Sequence, residues 1–193
     1  MTKIITGASV SLDGFISGPD ESGFELLFDW YGNGDVHLES ADPNIPFNVS
    51  KASEPIIRES LEIGAIVCGR HLYDVVNGWG GKHTLGVPVV VLTHNPLPDT
   101  DWFRFVSGGI AEAVEAARRI AGERDVVLTA GQIGSQGLEA GLVDEVGIDL
   151  VPIVLGGGRS FFQSLSGAPY VLDGPTRSIQ GDRVTHLRYS VRP

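Results

Sequence analysis

The chain has little cysteine and no histidine pattern that would suit a metal. A single cysteine, Cys68, among 193 residues excludes an internal disulfide framework and any metal site built from several cysteines. Because Cys68 lies within the apolar run AIVCG, we expect a buried and unreactive thiol there. The five histidines show no paired ligand spacing, so the sequence predicts no metal site.

The chain is also poor in positive charge and in long hydrophobic runs. It has 14 Lys and Arg against 24 Asp and Glu, which gives a formal net charge of −10. Such a balance argues against a broad nucleic-acid footprint, although one local cationic pocket for a small anion is compatible with it. The apolar run 87–92 is far too short to span a bilayer, and the first ten residues show no signal-peptide pattern. We therefore expect a cytoplasmic protein with neither nucleic-acid nor membrane partners.

Several well-known catalytic and nucleotide-binding motifs are missing. The sequence has no GxSxG nucleophile elbow and no P-loop GxxxxGK[ST]. The dinucleotide-binding fingerprint GxGxxG with a downstream acidic residue is absent as well. These absences make hydrolytic chemistry a poor interpretation of the chain.

What the chain does have is an alternation of apolar strands and amphipathic helices. Helices are predicted from the capping residue Ser53 to Gly64, over 110–121 and from Gln132 to Ala140. The alternation predicts an α/β domain with a largely parallel sheet, occupying residues 1–193 as a single domain. The predicted strands are Ile4–Val10, Ala65–Cys68, Val87–Leu92, Phe103–Val106, Val126–Leu128 and Glu145–Val154.

The C-terminal part and residues 17–52 depart from this alternation. Tyr170–Leu172 and Val184–Val191 are predicted strands without a helix between them, which favours an antiparallel hairpin at the sheet edge. Residues 17–52 are rich in Gly, Asp, Asn and Pro, and a loop of that length inside a compact domain is more often functional than not.

Three glycine-marked turns follow predicted strands, at 11–14, 69–71 and 130–132. Ligands of open α/β sheets gather at the carboxyl ends of the strands, where such turns meet. The turn at Ala130-Gly131 also opens a helix, and a helix start with free N–H groups suits a phosphate. This turn is therefore a candidate site for a nucleotide diphosphate.

Polar residues at two strand ends, one of them the turn at 69–71, point to a second phosphate. Arg70 begins a helix directly after a buried strand, and Thr93-His94 follows the strand VPVVVL. Together they can surround a ribose phosphate, and the lack of an acidic residue at either strand end favours NADP over NAD. A surface ion pair for Arg70 and an ordinary turn position for His94 remain alternatives.

Other candidate residues each have an equally simple structural interpretation. Asp13 can hold a cofactor amide or relay a proton, or it can form an Asx turn. Phe28, Trp30 and Trp79 can stack on a planar ring, or they can pack in the core. The segment 156–159, GGGR, can approach a ligand phosphate or form a strand-end turn.

The order of these segments resembles the dihydrofolate reductase-like superfamily. The similarity is greatest to the reductase domain of the bifunctional riboflavin-biosynthesis deaminase-reductase, and it covers nearly the whole chain. It is carried by ASVSLDGFISGPD, IVCGRHLYD, VPVVVLTH, LTAGQIGSQGLEAGLVDEV and DLVPIVLGGGRSFF, which follow the family order.

The resemblance implies a mixed, mainly parallel sheet with an antiparallel C-terminal edge, flanking helices and a homodimer. It implies an oxidoreductase that uses NADPH on a small heterocyclic substrate, similar to 5-amino-6-(5-phosphoribosylamino)uracil reductase or dihydrofolate reductase. Hydride transfer needs positioning of the cofactor more than a nucleophile, which agrees with the missing hydrolytic motifs. The alternative is a non-catalytic NADP(H)-binding or regulatory module on the same fold.

The resemblance also assigns roles to individual residues. It places Gly69, Arg70, Thr93 and His94 at the adenosine phosphate, and the loop Ala130, Gly131, Gln132, Ile133 and Gly134 at the pyrophosphate. Ala8, Gly14 and Ile16, with Asp13, are expected beside the nicotinamide.

One position departs from the family pattern, and several others are candidates for binding the substrate. Leu72 stands where the family often carries a phosphate-binding hydroxyl. Asp29 and Asp35 are candidates for the acidic substrate-binding residue, and the remaining substrate candidates are the aromatic residues Phe28, Trp30 and Trp79.

Overall fold

A computed structural model, which describes residues 2–192, has an eight-stranded sheet at its centre. The strands of this sheet are β1 (Ile4–Ser11), β5 (Ala65–Gly69), β6 (Val89–Leu92), β7 (Phe103–Val106), β8 (Val126–Thr129), β9 (Glu145–Val151), β11 (Leu172–Gln180) and β12 (Thr185–Val191). Their order across the sheet is β11-β12-β9-β1-β8-β5-β6-β7.

The pairing confirms the predicted fold class. The six strands from β9 to β7 along the sheet are parallel to their neighbours. Strand β12 runs antiparallel to both β9 and β11, which makes the antiparallel C-terminal edge. The carboxyl ends of the parallel strands therefore meet at one edge of the sheet, where the predicted ligand-binding turns lie.

In the described part of the chain, five α-helices flank the sheet: α1 (Phe24–Leu27), α2 (Glu54–Glu62), α3 (Arg70–Val75), α4 (Ile110–Ala121) and α5 (Gln132–Glu139). Helices α4 and α5 cover one face, where Ile4, Val67 and Leu128 form a buried core with the alanines of α4. Helix α2 and the segment before it cover the opposite face with a second core around Trp30, Ile56 and Ile57. No helix within residues 2–192 combines the length and the apolar character needed to traverse a bilayer.

Cys68 is fully buried in β5, as expected from its apolar surroundings. Burial raises the pKa of its thiol to about 12. Because the thiolate is the reactive form, the residue is an inert part of the core.

The structure corrects the sequence prediction in two places. Ser53 precedes α2 but makes no side-chain cap; its hydroxyl instead contacts Nε2 of His186 at 2.9 Å. Residues 173–180, which lie between the two predicted strands of the C-terminal hairpin and are rich in turn-forming residues, belong to β11. This strand lies at the sheet edge with one side in water, so it needs no apolar run, and a register shift after Asp173 accommodates Gly174 and Pro175.

Residues 17–52 contain more order than their composition indicates. Strand β2 (Phe15–Ser17) pairs with β10 (Arg159–Ser160), and β3 (Val36–Leu38) pairs with β4 (Phe47–Val49). These strands have two or three residues each, too short for periodicity to reveal them. These short strands hold residues 17–52 against the same face of the sheet as α2, which covers only part of that face.

Candidate functional site

A cavity of about 1190 Å³ lies between the sheet and α2 and continues to the carboxyl ends of the parallel strands. Alternation along β1 turns Ile5, Gly7 and Ser9 to this side, while Ile4 and Thr6 face α5. Small-molecule sites typically measure about 300–1,000 Å³, so this space is large enough for a dinucleotide and a second ligand together.

The strand-end part of the cavity brings together most of the residues predicted to bind a cofactor. They come from β1, β2, the β5–α3 turn, the end of β6 and the start of α5. The predicted residues that line the cavity are Ala8, Ile16, Gly69, Arg70, Leu72, Thr93, His94, Ala130, Gly131, Gln132 and Ile133.

Arg70 connects two strand ends at this edge. Its Nε donates to both carboxylate oxygens of Asp74, at 2.8 and 2.9 Å, and Nη1 donates to the carbonyl of Asn95 at 3.1 Å. The ion pair considered as an alternative is therefore present, yet the side chain still lines the cavity and is about one-third exposed. These contacts hold the guanidinium beside Thr93 and His94.

The turn at Gly131 has a conformation that favours glycine. Its φ is +86°, and its N–H donates to the carbonyl of Phe161 at 2.7 Å. Its carbonyl accepts from the N–H of Ser135 at 3.0 Å, which starts α5. A side chain here would approach Ile16 and Gln163 at 3.3 Å, so the turn can present its backbone to a ligand only without one.

Asp13 and Gly14 lie outside the lining of this cavity. The Asp13 carboxylate accepts bonds from Ser11 Oγ at 2.6 Å, Leu155 N at 3.1 Å and Gly156 N at 2.7 Å. The bond from Ser11, then those from the backbone, lower the pKa of this exposed carboxyl. In this arrangement Asp13 ties the β1–β2 turn to the segment after β9.

Gly134, Trp30 and Asp35 are also outside the lining. Gly134 lies in α5 against Thr6, where any side chain would overlap the Thr6 hydroxyl. Trp30 is 1% exposed and donates from Nε1 to Ser9 Oγ at 3.0 Å, as a core tryptophan does. Asp35 is exposed in the turn before β3. Phe28 and Trp79, in contrast, both line the cavity.

A charged cluster at the cavity was missed by the sequence analysis, apart from Arg159 in the GGGR segment. Glu21 accepts from Arg159 Nε at 2.6 Å and lies 2.7 Å from Nε2 of His71. Burial raises the pKa of the Glu21 carboxyl, but the bonds to Arg159 and His71 outweigh burial and lower it. The cluster joins the loop around Glu21 to α3 and β10 across the cavity.

A second polar group lies deeper, on the sheet and on the short helical turn 29–31 that packs against it. Ser9, Tyr31, Asp149 and Arg188 line the inner wall of the cavity, and we call them the polar floor. None of these was predicted to bind a ligand, because a single polar residue within a strand, or a tyrosine among other aromatic residues, gives no motif. Burial, and then the negative charge of Asp149, raise the pKa of the Tyr31 phenol, so it stays a neutral donor.

His83, which lines the cavity beside Trp79, gives the stability of the protein a pH dependence that can be measured. Burial lowers the pKa of its imidazole to about 4, so the unfolded chain binds the proton more readily between about pH 4 and 6.5. Stability should therefore fall as the pH falls through that window. Because the ring is only partly covered, we expect a loss of about 1–2 kcal/mol.

Urea unfolding at pH 7 and pH 4.5 measures this effect, with His83→Gln as the comparison. In the variant, the free energy of unfolding should depend less on pH, because the contribution of His83 is gone. An unchanged slope in His83→Gln would show that other groups account for it.

No known family model matches the chain, and no curated protein matches it. Solved structures do match. A protein from Shewanella sp. PV-4 assigned to riboflavin biosynthesis has a TM-score of 0.69 and 21% identity, with all of both chains covered. Dihydrofolate reductase from Enterococcus faecalis complexed with NADP(H) has a TM-score of 0.56 and 15% identity, over 99% of this chain and 97% of that chain.

A third match is a diaminohydroxyphosphoribosylaminopyrimidine deaminase/5-amino-6-(5-phosphoribosylamino)uracil reductase from Thermotoga maritima. Its TM-score is 0.63 and its identity 12%, and the match covers 99% of this chain but 57% of that one. At these identities the similarity establishes the fold, which is dihydrofolate reductase-like, as the sequence motifs predicted. Two of these three matching structures carry the names of reductases.

Proposed function

We propose that the protein is an NADPH-dependent reductase of a small heterocyclic substrate, similar to 5-amino-6-(5-phosphoribosylamino)uracil reductase or dihydrofolate reductase. The observation that carries this proposal is one continuous cavity. It joins the glycine turn and the strand ends that carry Arg70, Thr93 and His94, which suit phosphates, to a deep and largely apolar chamber under α2 that ends at the polar floor. Hydride transfer requires that two bound rings be held against each other, and such a cavity provides that arrangement.

The residues present fit a dinucleotide. Ser17 is 1% exposed and lines the cavity, and its Oγ makes no hydrogen bond within residues 2–192. A buried hydroxyl without a partner is costly, so a polar ligand group beside Ile16 would satisfy it. Arg70, Thr93 and His94 would hold the adenosine phosphate, and the turn at Gly131 the pyrophosphate. When bound, NADPH supplies the hydride.

Titration with NADPH, followed by nicotinamide fluorescence, tests the first half of this proposal. Turnover with a panel of pterin, pyrimidine and quinone acceptors tests the second half. Binding without any turnover would favour a non-catalytic NADP(H)-binding module. The missing hydroxyl at Leu72 is the observation that supports this alternative. No binding at roughly 1 mM NADPH would exclude both functions.

Arg70→Ala should separate the two nicotinamide cofactors. If Arg70 contacts the adenosine phosphate, its removal should weaken NADPH binding roughly tenfold, since bonds to charged groups are among the strongest. NADH, which lacks that phosphate, should bind equally to both proteins. Isothermal titration calorimetry with the two cofactors measures this.

Arg58→Ala is the matched control for this substitution. Arg58 pairs with Glu54 four residues earlier in α2, as Arg70 pairs with Asp74 in α3, but Arg58 does not line the cavity. It should leave both cofactors unaffected. Equal losses for NADPH and NADH in Arg70→Ala would place the guanidinium elsewhere on the cofactor.

A further inference from the structure

Three of the four residues of the polar floor, all except Tyr31, are positioned by the register of three strands. Asp149 of β9 stands opposite His186 of β12, and Gly147 stands opposite Arg188. Ser9 on the neighbouring strand β1 is in register with Asp149. Because side chains alternate along strands, these residues point to one face of the sheet, the face that borders the cavity.

The Asp149 carboxylate is held through only one of its oxygens. Oδ1 lies 2.8 Å from Nδ1 of His186 and accepts from Nη1 of Arg188 at 3.2 Å. Within residues 2–192, Oδ2 makes no hydrogen bond, although Asp149 lines the cavity with a side chain only 16% exposed. Oδ2 is not among the buried polar atoms without a partner, so it is accessible from the cavity and can accept a hydrogen bond from a ligand there.

A chain of contacts holds this carboxylate from behind. His186 is 1% exposed and its Nε2 contacts Ser53 Oγ at 2.9 Å. The ring also packs edge-on against Trp30 at 4.9 Å. Ser53 is occupied in this way rather than in capping α2. Such packing fixes the carboxylate, and fixed groups are what a selective binding site requires.

Two glycines leave the floor flat beside the carboxylate. Gly7 of β1 stands opposite Gly147 of β9, and both line the cavity. A side chain at Gly147 would come within 3.3 Å of three guanidinium atoms of Arg188, which therefore lies over this glycine. Nε and Nη2 of Arg188 make no hydrogen bond to any residue from 2 to 192. The floor thus offers a free acceptor and free donors next to a flat surface.

We propose that Asp149 and Arg188 determine which substrate binds, by pairing with a planar ring that carries an N–H next to a carbonyl. Oδ2 of Asp149 accepts from the ring N–H, and the guanidinium of Arg188 donates to the carbonyl oxygen. The inference rests on the proposed reductase function. It narrows the substrate to a lactam-type heterocycle and argues against acceptors that lack an N–H, such as quinones.

A matched pair of compounds tests this pairing. Quinazolin-4(3H)-one carries the N–H and carbonyl edge, whereas its 3-methyl derivative lacks the N–H. Wild-type protein should bind the first roughly tenfold more tightly, because methylation leaves the carboxylate unpaired. Asp149→Asn, which can turn its own N–H group toward the ligand, should lose most of this preference. Ligand-observed NMR titration measures the four affinities.

The controls separate this inference from the cofactor proposal. Asp173→Asn makes the same change at an arginine-paired aspartate outside the cavity, and it should keep the preference. NADPH affinity should be the same in Asp149→Asn and wild type. If wild type shows no preference, or binds neither compound, the assignment is wrong, and this result does not depend on how any variant folds. A preference without NADPH binding would instead overturn the reductase function alone.

Discussion

Replacing Trp30 by alanine should lower the free energy of unfolding by about 3–5 kcal/mol, the range for large aromatic residues in cores. The side chain is 1% exposed and packs edge-on against Tyr31 and His186, at 4.4 and 4.9 Å between ring centres. Its indole N–H bonds to Ser9, so the truncation also leaves a buried hydroxyl without its donor. Urea denaturation followed by circular dichroism measures the loss.

Trp102→Ala provides the comparison, because that ring is only partly buried and carries Lys82 over its face. It should cost clearly less stability, about 1 kcal/mol. Trp30→Phe should fall between the two, since it keeps most of the ring and loses the hydrogen bond. If Trp30→Ala lost little stability but bound ligands more weakly, Trp30 would act in ligand binding rather than in the core.

The strands that could be predicted from the sequence are those whose position requires apolar residues. Strands β5 and β8 are covered on both faces, so AIVCG and VVLT had to be largely hydrophobic runs. Strand β11 lies at the edge with much of its surface in water, and its sequence LDGPTRSIQ carries no such signal. Buried strands of the sheet could therefore be predicted from the sequence, whereas the exposed edge strand could not.

That the strand-end residues lie together could also be predicted, because each belongs to a short local motif at the end of a parallel strand. The polar floor could not, although part of its pattern was visible. The alternation in THLRYSV puts Thr185 and Leu187 on one face, which leaves His186 and Arg188 together on the other. That Asp149 joins them depends on the pairing of β9 with β12, and that their face borders a cavity depends on α2. Neither property is local in the sequence.

The glycine turn that opens α5 is the part of the site where a single substitution should matter most for the cofactor. Gly131→Val should weaken NADPH binding about 100-fold, since φ of +86° and ψ of −137° suit glycine and strain any other residue. Valine would also press against Ile16 and Gln163, so the turn must move. Moving it displaces the N–H groups at the start of α5 that we propose to hold the pyrophosphate. Fluorescence titration with NADPH measures the change.

The effect of backbone strain on stability must be separated from its effect on the binding site. A glycine at the other end of α5 provides the control. Gly141 also has a positive φ, of +65°, and it lies outside the lining of the cavity. Gly141→Val should therefore cost comparable stability through backbone strain, about 1–3 kcal/mol, while NADPH affinity stays near that of wild type. Equal affinity losses in both variants would mean that binding follows overall stability. A loss confined to Gly131→Val would mean that the conformation of this turn holds the cofactor, independently of how stable the helix behind it is.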